Sequence, residues 1–435
     1  IGKLGLEKTL ENYLIGTNAI QRYEVNAYGK RINQLEHQKG KQGLRVRLTV
    51  DTEVQKACGK LLNNRAGSIS VMDIYTGDII AMYSSPSYDP NKFLFGISND
   101  DWALIRNNPL KPLVNKTLAG LYSPGSTIKP IVALSALENK IVSPSFKVKC
   151  TGKMELYGQT FHCWKEKGHG FVSLKNAMKQ SCDTYFYEVA RLLGVDRLNV
   201  TAEKFGLGKK VLGDYFDFEK SGLFPNTKWK KNNLGKGWVL GETLITGIGQ
   251  GYTQTTPLQL CLMTAQIANG GYSIKPRIIV DNNPMPLEEI KRKLKEETLH
   301  TQEKKLFNDP KNIKIVQEAM FSSTNELYGT SYKSRIDDPK YQFAGKTGTA
   351  QVKRISMRER ELDLKIEQIP YKDRDHALYI AYGPYINPRY ALSIIVEHGG
   401  SGSRTAAPIA KELFKLIIDR NDLRNKQKNF EEIKI

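Results

Sequence analysis

The chain has 435 residues, 40% of them hydrophobic, with a formal net charge of +20 and a mean hydropathy of −0.45. Such a length and hydropathy describe a folded protein of two or three domains, and the lack of any apolar run of about eighteen residues excludes a bilayer-spanning helix among them. The basic excess suits an anionic partner such as a membrane surface or a pyrophosphate-bearing precursor, whereas nucleic acid is not expected, because basic residues are scattered among acidic ones and no nucleic-acid motif occurs.

Residues 1 to about 44 are polar, with a short helical piece at Lys8–Leu14. Val46-Arg47-Leu48-Thr49-Val50 alternates like a strand, and a helix is expected over Thr52–Leu62. Strands Ser68–Ile74 and Asp78–Ser84 flank the turn Tyr75-Thr76-Gly77. A mostly helical region follows, about 100 to 270. Within it Pro124-Gly125 breaks the chain, so a helix can start at Ser126, with Pro130 in its first turn, where a missing N–H costs nothing. Ile131, Val132, Leu134 and Leu137 are spaced like its buried face, and Asn139-Lys140 closes it. Further on, Tyr341–Val352, Ala377–Tyr382 and Tyr390–Val396 read as strands, and Ala406–Ile418 as a closing amphipathic helix. The charged stretches Glu288–Lys305 and Arg358–Asp375 read as surface insertions, the second expected to be mobile, and the charged tail after Arg420 is expected to fray.

Chemistry concentrates in three places. Ser126-Thr127-Ile128-Lys129 is the single S-x-x-K of the chain and Lys346-Thr347-Gly348 its single K-T-G. A serine and a lysine three apart on a helix share one face and can share a proton, which activates a serine without a histidine. A helix N-terminus there also favours a developing anion. In the K-T-G strand, Gly345 and Gly348 would let a peptide lie alongside as an added strand, while Lys346, Thr347 and Thr349 offer a cation and hydroxyls to a carboxylate. Between the two lies Ser181-Cys182-Asp183. The order S-x-x-K, S-x-N, K-T-G belongs to penicillin-recognising serine enzymes, and here aspartate stands where asparagine is usual.

On these motifs the chain resembles the class B penicillin-binding proteins, and within them the elongation-specific penicillin-binding protein 2 branch. Further matching stretches are Gly5-Leu6-Glu7 with Tyr13, Val25–Gly29, Tyr122–Ser126, Gly168–Gly170, Asp183–Tyr187, Gly249–Tyr252, Gln254–Pro257, Gly345–Gln351 and Glu397–Gly400. The resemblance implies an α/β (α+β) transpeptidase fold, a central antiparallel sheet flanked by helices with an all-helical subregion. It divides the chain into the end of an N-terminal pedestal module (1–44), a transpeptidase domain (45–420) and a charged tail (421–435). It implies Ser126 as nucleophile, Lys129 as its base and Ser181 as proton relay. Asp183 would hydrogen-bond Lys129 and the substrate amide, and Lys346, Thr347 and Thr349 would hold the substrate carboxylate beside Gly348. The backbone N–H groups of Ser126 and Thr349 would form the oxyanion hole.

The implied substrate is the D-Ala-D-Ala end of a peptidoglycan stem peptide, with β-lactams as inhibitors acylating the same serine. A D,D-carboxypeptidase, a β-lactamase and a β-lactam sensor are the alternatives; no motif for a deacylating base is present, and the intact motifs argue against a dead scaffold. By resemblance, the Gly5–Tyr13 region would meet the scaffold protein MreC and the glycan polymerase RodA. A membrane anchor ahead of residue 1 and a periplasmic catalytic domain at the bacterial inner membrane are also implied.

Five cysteines occur, and Cys150, Cys163 and Cys182 with His169 bracket the middle motif. Three cysteines and a histidine make a tetrahedral zinc set, although this spacing is not that of a zinc finger. Some members of the resembling branch hold a structural zinc at the matching positions, with aspartates at the first two, so a softer version of that site is implied. The alternative is a Cys150–Cys163 disulfide with Cys182 buried and free. Cys58 and Cys261 sit in apolar helical patterns and read as core, and His376 and His398 read as structural. No organic cofactor is expected.

Overall fold

The computed structural model describes residues 2–280, 305–353 and 366–432, of which 422–432 as backbone only. At its centre is a five-stranded antiparallel sheet in the order β4-β3-β11-β10-β9, with β3 at Gly67–Asp73, β4 at Ile79–Ser85, β9 at Ala344–Ala350, β10 at His376–Gly383 and β11 at Tyr390–Val396; apart from it, β5 (Lys147–Cys150) pairs with β8 (Gly170–Ser173) and β6 (Lys153–Leu156) with β7 (Gln159–His162). Every residue of β3 and β11 is buried, because helices cover both faces and a strand inside three layers has no polar side to show. The period of two sorts β10 accordingly: Leu378, Ile380 and Tyr382 join the core on one face, Ala377, Tyr379 and Ala381 that on the other.

The first face carries the helical block, with helices Lys129–Glu138, Asp183–Leu193, Pro257–Ala268 and Pro310–Asn325. Helix Pro257–Ala268 is buried all round, as an apolar helix at the centre of a large core must be. Its start is set by Pro257 in the first turn and by the reciprocal pair Thr256 and Gln259. The other face carries helices Thr52–Leu62 and Ala407–Glu432. Helix Thr52–Leu62 has the expected bounds. Asp51 caps it by accepting from the N–H groups of Glu53 and Val54, Asn63 ends it at φ 47°, and Val54, Cys58 and Leu62 form its buried stripe. Truncating Leu62 to alanine would cost about 2–5 kcal/mol.

Several expectations are corrected. Residues 46–50 are not a strand of the sheet; they make a single bridge, Leu48 with Ile279, and Leu48 stays partly exposed. Residues 1–44 hold two short helices, Gly5–Thr9 and Glu11–Leu14, and an unforeseen hairpin of β1 (Ile20–Val25) and β2 (Arg31–Gln38). Its turn is closed by Asn26 Oδ1, which accepts from the N–H groups of Tyr28 and Lys30. The K-T-G strand is shorter than expected, Ala344–Ala350. The closing helix does not stop at Ile418 but runs to Glu432, past the expected start of the tail. The insertion at 288–305 lies outside the described residues apart from Lys305. That at 358–375 does so as far as 365, and two 3-10 turns, Ile366–Gln368 and Tyr371–Asp373, occupy the remainder.

Candidate active site

Strand β9 ends the sheet, so one of its edges has no partner strand among the described residues. Beside it the chain brings together segments from three distant regions. Ser126 lies in a 3-10 turn, Gly125–Ile128, and the regular helix begins only at Lys129. The turn is wedged in place: the Gly125 N–H donates to Gly249 O at 2.9 Å, and a Cβ on Gly125 would lie 2.5 Å from Thr349 O. Gly125 (φ 53°) is thus bare because the strand backbone passes against it.

Gly345 and Gly348 have a reason other than the expected one. A Cβ on Gly345 would meet the Tyr379 hydroxyl at 2.2 Å, and one on Gly348 would meet Thr127 Cγ2 at 2.7 Å. Both face the protein's own packing: Gly348 lets the strand seat against the Ser126 turn, and Gly345 leaves room for Tyr379 of β10. What remains for an incoming peptide is the open edge.

Ser181 ends helix Leu174–Lys179 at φ 54°, a left-handed conformation unusual for serine and held by its surroundings. Lys129 Nζ, fully buried, donates to Ser181 O at 2.9 Å, Ser181 Oγ at 3.2 Å and Asp183 Oδ1 at 2.7 Å. Lys346 Nζ, also fully buried, donates to Ser181 Oγ at 2.8 Å and Thr347 O at 2.9 Å. Burial, and next the Lys129 cation, push the Lys346 ammonium well below the ordinary lysine range, against the pull of Asp183. Ser126 is half-buried, and no hydrogen bond joins its hydroxyl to Lys129 among the described residues. The lysine reaches Ser181 and Asp183 instead.

Thr347 Oγ1 donates to Thr330 Oγ1 at 2.8 Å, and Thr349 is exposed beside it on the same face of the strand. Lys346, fully buried, points to the opposite face of the strand from these two hydroxyls. Asp183 gives its second oxygen to the Trp164 N–H at 3.0 Å, and the Trp164 indole donates to Ser181 O at 3.1 Å. Both Asp183 oxygens therefore accept from the protein's own donors. Trp164 and Thr330 were not singled out from the sequence: each is a lone residue with no spacing rule to mark it.

Cys150, Cys163, His169 and Cys182 converge behind Ser181 and Asp183, their ligand atoms all within 4.8 Å of one another, and the thiols are free. His169 Nδ1 is 3.5 Å from Cys150 Sγ and 3.6 Å from Cys163 Sγ. A tetrahedron with zinc–nitrogen and zinc–sulfur bonds of about 2.0 and 2.3 Å has nitrogen–sulfur edges of about 3.5 Å, so these two edges already fit zinc. Cys163 accepts the Asp183 N–H at 3.4 Å. A hydrogen bond with Cys182 is the main influence holding the Cys163 thiol well below its ordinary range. The alternative, a Cys150–Cys163 disulfide, is not formed. Cys58 and Cys261 are wholly buried in the core.

The family model of the penicillin binding protein transpeptidase domain matches residues 67–415, and that of the penicillin-binding protein dimerisation domain matches residues 1–48. Peptidoglycan D,D-transpeptidase MrdA of Salmonella typhimurium (strain LT2) is 35% identical over 423 residues, 96% of this chain and 66% of the relative. The chain thus spans just under two thirds of that relative's length. Among solved structures, Pseudomonas aeruginosa PBP2 in complex with WCK 5153 is 37% identical with a TM-score of 0.78, covering 96% of this chain and 83% of that one. Helicobacter pylori PBP2, solved as a complex with MreC, is 32% identical with a TM-score of 0.80, covering 96% and 72%. With its sheet, its three motifs and these matches, the chain belongs to the class B penicillin-binding protein transpeptidase family.

Proposed function

We propose that this protein is a serine D,D-transpeptidase that cross-links peptidoglycan stem peptides during cell elongation and is acylated by β-lactams. The observation that supports it most is the meeting of Ser126, Lys129, Ser181 and Lys346 beside the unpartnered edge of β9. A stem peptide ending in D-Ala-D-Ala lies along that edge, its carboxylate on the Thr347 and Thr349 hydroxyls beside Gly348. Ser126 Oγ attacks the penultimate carbonyl, whose oxygen is received by the backbone N–H groups of Ser126 and Thr349. Lys129 takes the serine proton as general base. Asp183 Oδ1, 2.7 Å from the Lys129 Nζ, accepts from it and holds the amine in place. Ser181 passes a proton to the departing D-Ala amine, and a neighbouring stem's amine then attacks the ester and releases Ser126.

Cys150, Cys163, His169 and Cys182 would hold one structural zinc, which leaves no open position for water and supplies rigidity rather than chemistry. With the division at residues 44 and 420, the N-terminal segment forms the end of a pedestal. Elongation partners of the MreC and RodA kind would meet it there, with the catalytic domain in the periplasm and an anchor in the inner membrane. None of the described helices is itself long and apolar enough to cross a membrane. The test is mass spectrometry after exposure to a labelled penicillin. A stable adduct on Ser126 that is absent in Ser126→Ala supports the reading; an adduct elsewhere, or one cleared within seconds, overturns it.

A further inference from the structure

One hydroxyl–carboxylate contact ties the Ser126 segment to a distant part of the sheet. Tyr122, four residues ahead of Ser126, is buried, and its hydroxyl donates to Glu397 Oε1 at 2.6 Å across 275 residues of chain. Glu397 follows directly on β11, and its own N–H donates to Ala66 O at 2.8 Å, so it is fixed to the central strands. The tyrosine ring meets His376, at the start of β10, edge-on with centroids 5.6 Å apart. A Cβ on Gly120 would lie 2.5 Å from Lys116 O, 2.6 Å from the tyrosine ring and 2.8 Å from its hydroxyl, so the ring packs closely on that bare backbone. The Tyr122 backbone is tied on its other side to Thr255, by paired hydrogen bonds of 3.0 and 2.9 Å.

From this arrangement we propose that Tyr122 and Glu397 are a positioning pair that sets the reach of Ser126 toward the acyl carbonyl. The inference rests on the reading of Ser126 as nucleophile. Neither residue is given a substrate contact. Their hydrogen bond holds the segment 122–126 against the sheet from the side opposite Thr255, and its strength follows from a short, charge-assisted contact in a buried place. Release of that side lets the serine drift, and small drifts are felt in the chemical step.

The experiment measures acylation by a fluorescent penicillin in the full chain for wild type, Tyr122→Phe, Glu397→Ala, Glu397→Gln and the double variant Tyr122→Phe/Glu397→Ala. The expected result is a saturating acylation rate lowered about 10- to 100-fold in Tyr122→Phe and Glu397→Ala, with the half-saturation concentration held within about twofold. The double variant is expected to be no slower than the slower single, and Glu397→Gln, which still accepts from the tyrosine, to recover most of the rate. A wild-type saturating rate in Tyr122→Phe, which keeps the ring and should fold, overturns the proposal. So does a loss that appears only in half-saturation or only in melting temperature. Wild-type protein that fails to label Ser126 at all would instead overturn the transpeptidase reading beneath it.

Discussion

Lys129 and Lys346, which lie 217 positions apart in the sequence, donate to the same hydroxyl, that of Ser181, at 3.2 and 2.8 Å. A serine oxygen has two lone pairs. With both taken, its proton can be given only to a third group, and that directs Ser181 toward the substrate side.

Ser181→Ala and Ser181→Gly should both lower the rate of penicillin acylation, by about 10²- to 10⁴-fold. They should differ in stability, because residue 181 sits at φ 54°. Glycine adopts that conformation without a Cβ penalty, so Ser181→Gly should be the more stable of the two by about 1 kcal/mol. Denaturant melts of the two variants check this, and equal midpoints would remove the strain argument.

Thr330→Val takes away the acceptor of the Thr347 hydroxyl while keeping the shape. Binding of a carboxylate-bearing substrate or penicillin should weaken about 3- to 10-fold. The chemical step should change little, since neither hydroxyl reaches Ser126. Stopped-flow acylation over a range of penicillin concentrations separates the two effects.

Stability should fall as pH drops from about 6.5 toward 4. Burial, and then the His398 cation, lower His376 from 6.5 to about 4, and the His398 N–H donates to His376 Nδ1 at 3.0 Å, a bond that needs the neutral ring. The sign follows from linkage. The unfolded chain takes up the proton near pH 6.5, while the folded chain resists until about 4, so acid favours unfolding across that window, by up to about 3 kcal/mol. The contribution is fully present above pH 6.5. The difference in unfolding free energy between wild type and His376→Gln, followed against pH, should carry this slope; a flat difference would refute it.

Purified protein should carry about one zinc per chain. Cys182→Ser and His169→Ala should lose it, and both should melt at lower temperature and acylate more slowly, because Cys182 lies between Ser181 and Asp183 and Cys163 accepts the Asp183 N–H. Elemental analysis beside calorimetry checks both halves. Metal-free wild-type protein with full acylation would exclude a structural metal.

How legible the fold and the site were depended on how local their cause is. Helix Thr52–Leu62 could be read because its cap at Asp51 and its stop at Asn63 flank it directly and its stripe lies within it. The three motifs could be read because their residue types are chemically unusual together. The hairpin Ile20–Gln38 was not, since nearly all its residues are exposed and no apolar alternation marks it. The reason for Gly345 and Gly348 was hidden because their crowding partners, Tyr379 and Thr127, come from other parts of the chain. Trp164 and Thr330 were missed for the same reason: what makes them matter is the neighbour they meet in space.

The order of strands also dictates when this protein can first work. β3 lies between β4 and β11, and β9 is reached only through β10 and β11, so the sheet cannot be continuous until the last fifth of the chain has emerged. A nascent chain that has emerged only as far as residue 330 would already contain Ser126, Lys129 and Ser181 yet have no Lys346, no β9 and no β11 to pair with β3. Assembly must close contacts across more than three hundred residues, a slow, non-local topology. On the proposed function, penicillin acylation and cross-linking would therefore arise together, at the end of folding, rather than being acquired piece by piece as the chain is made.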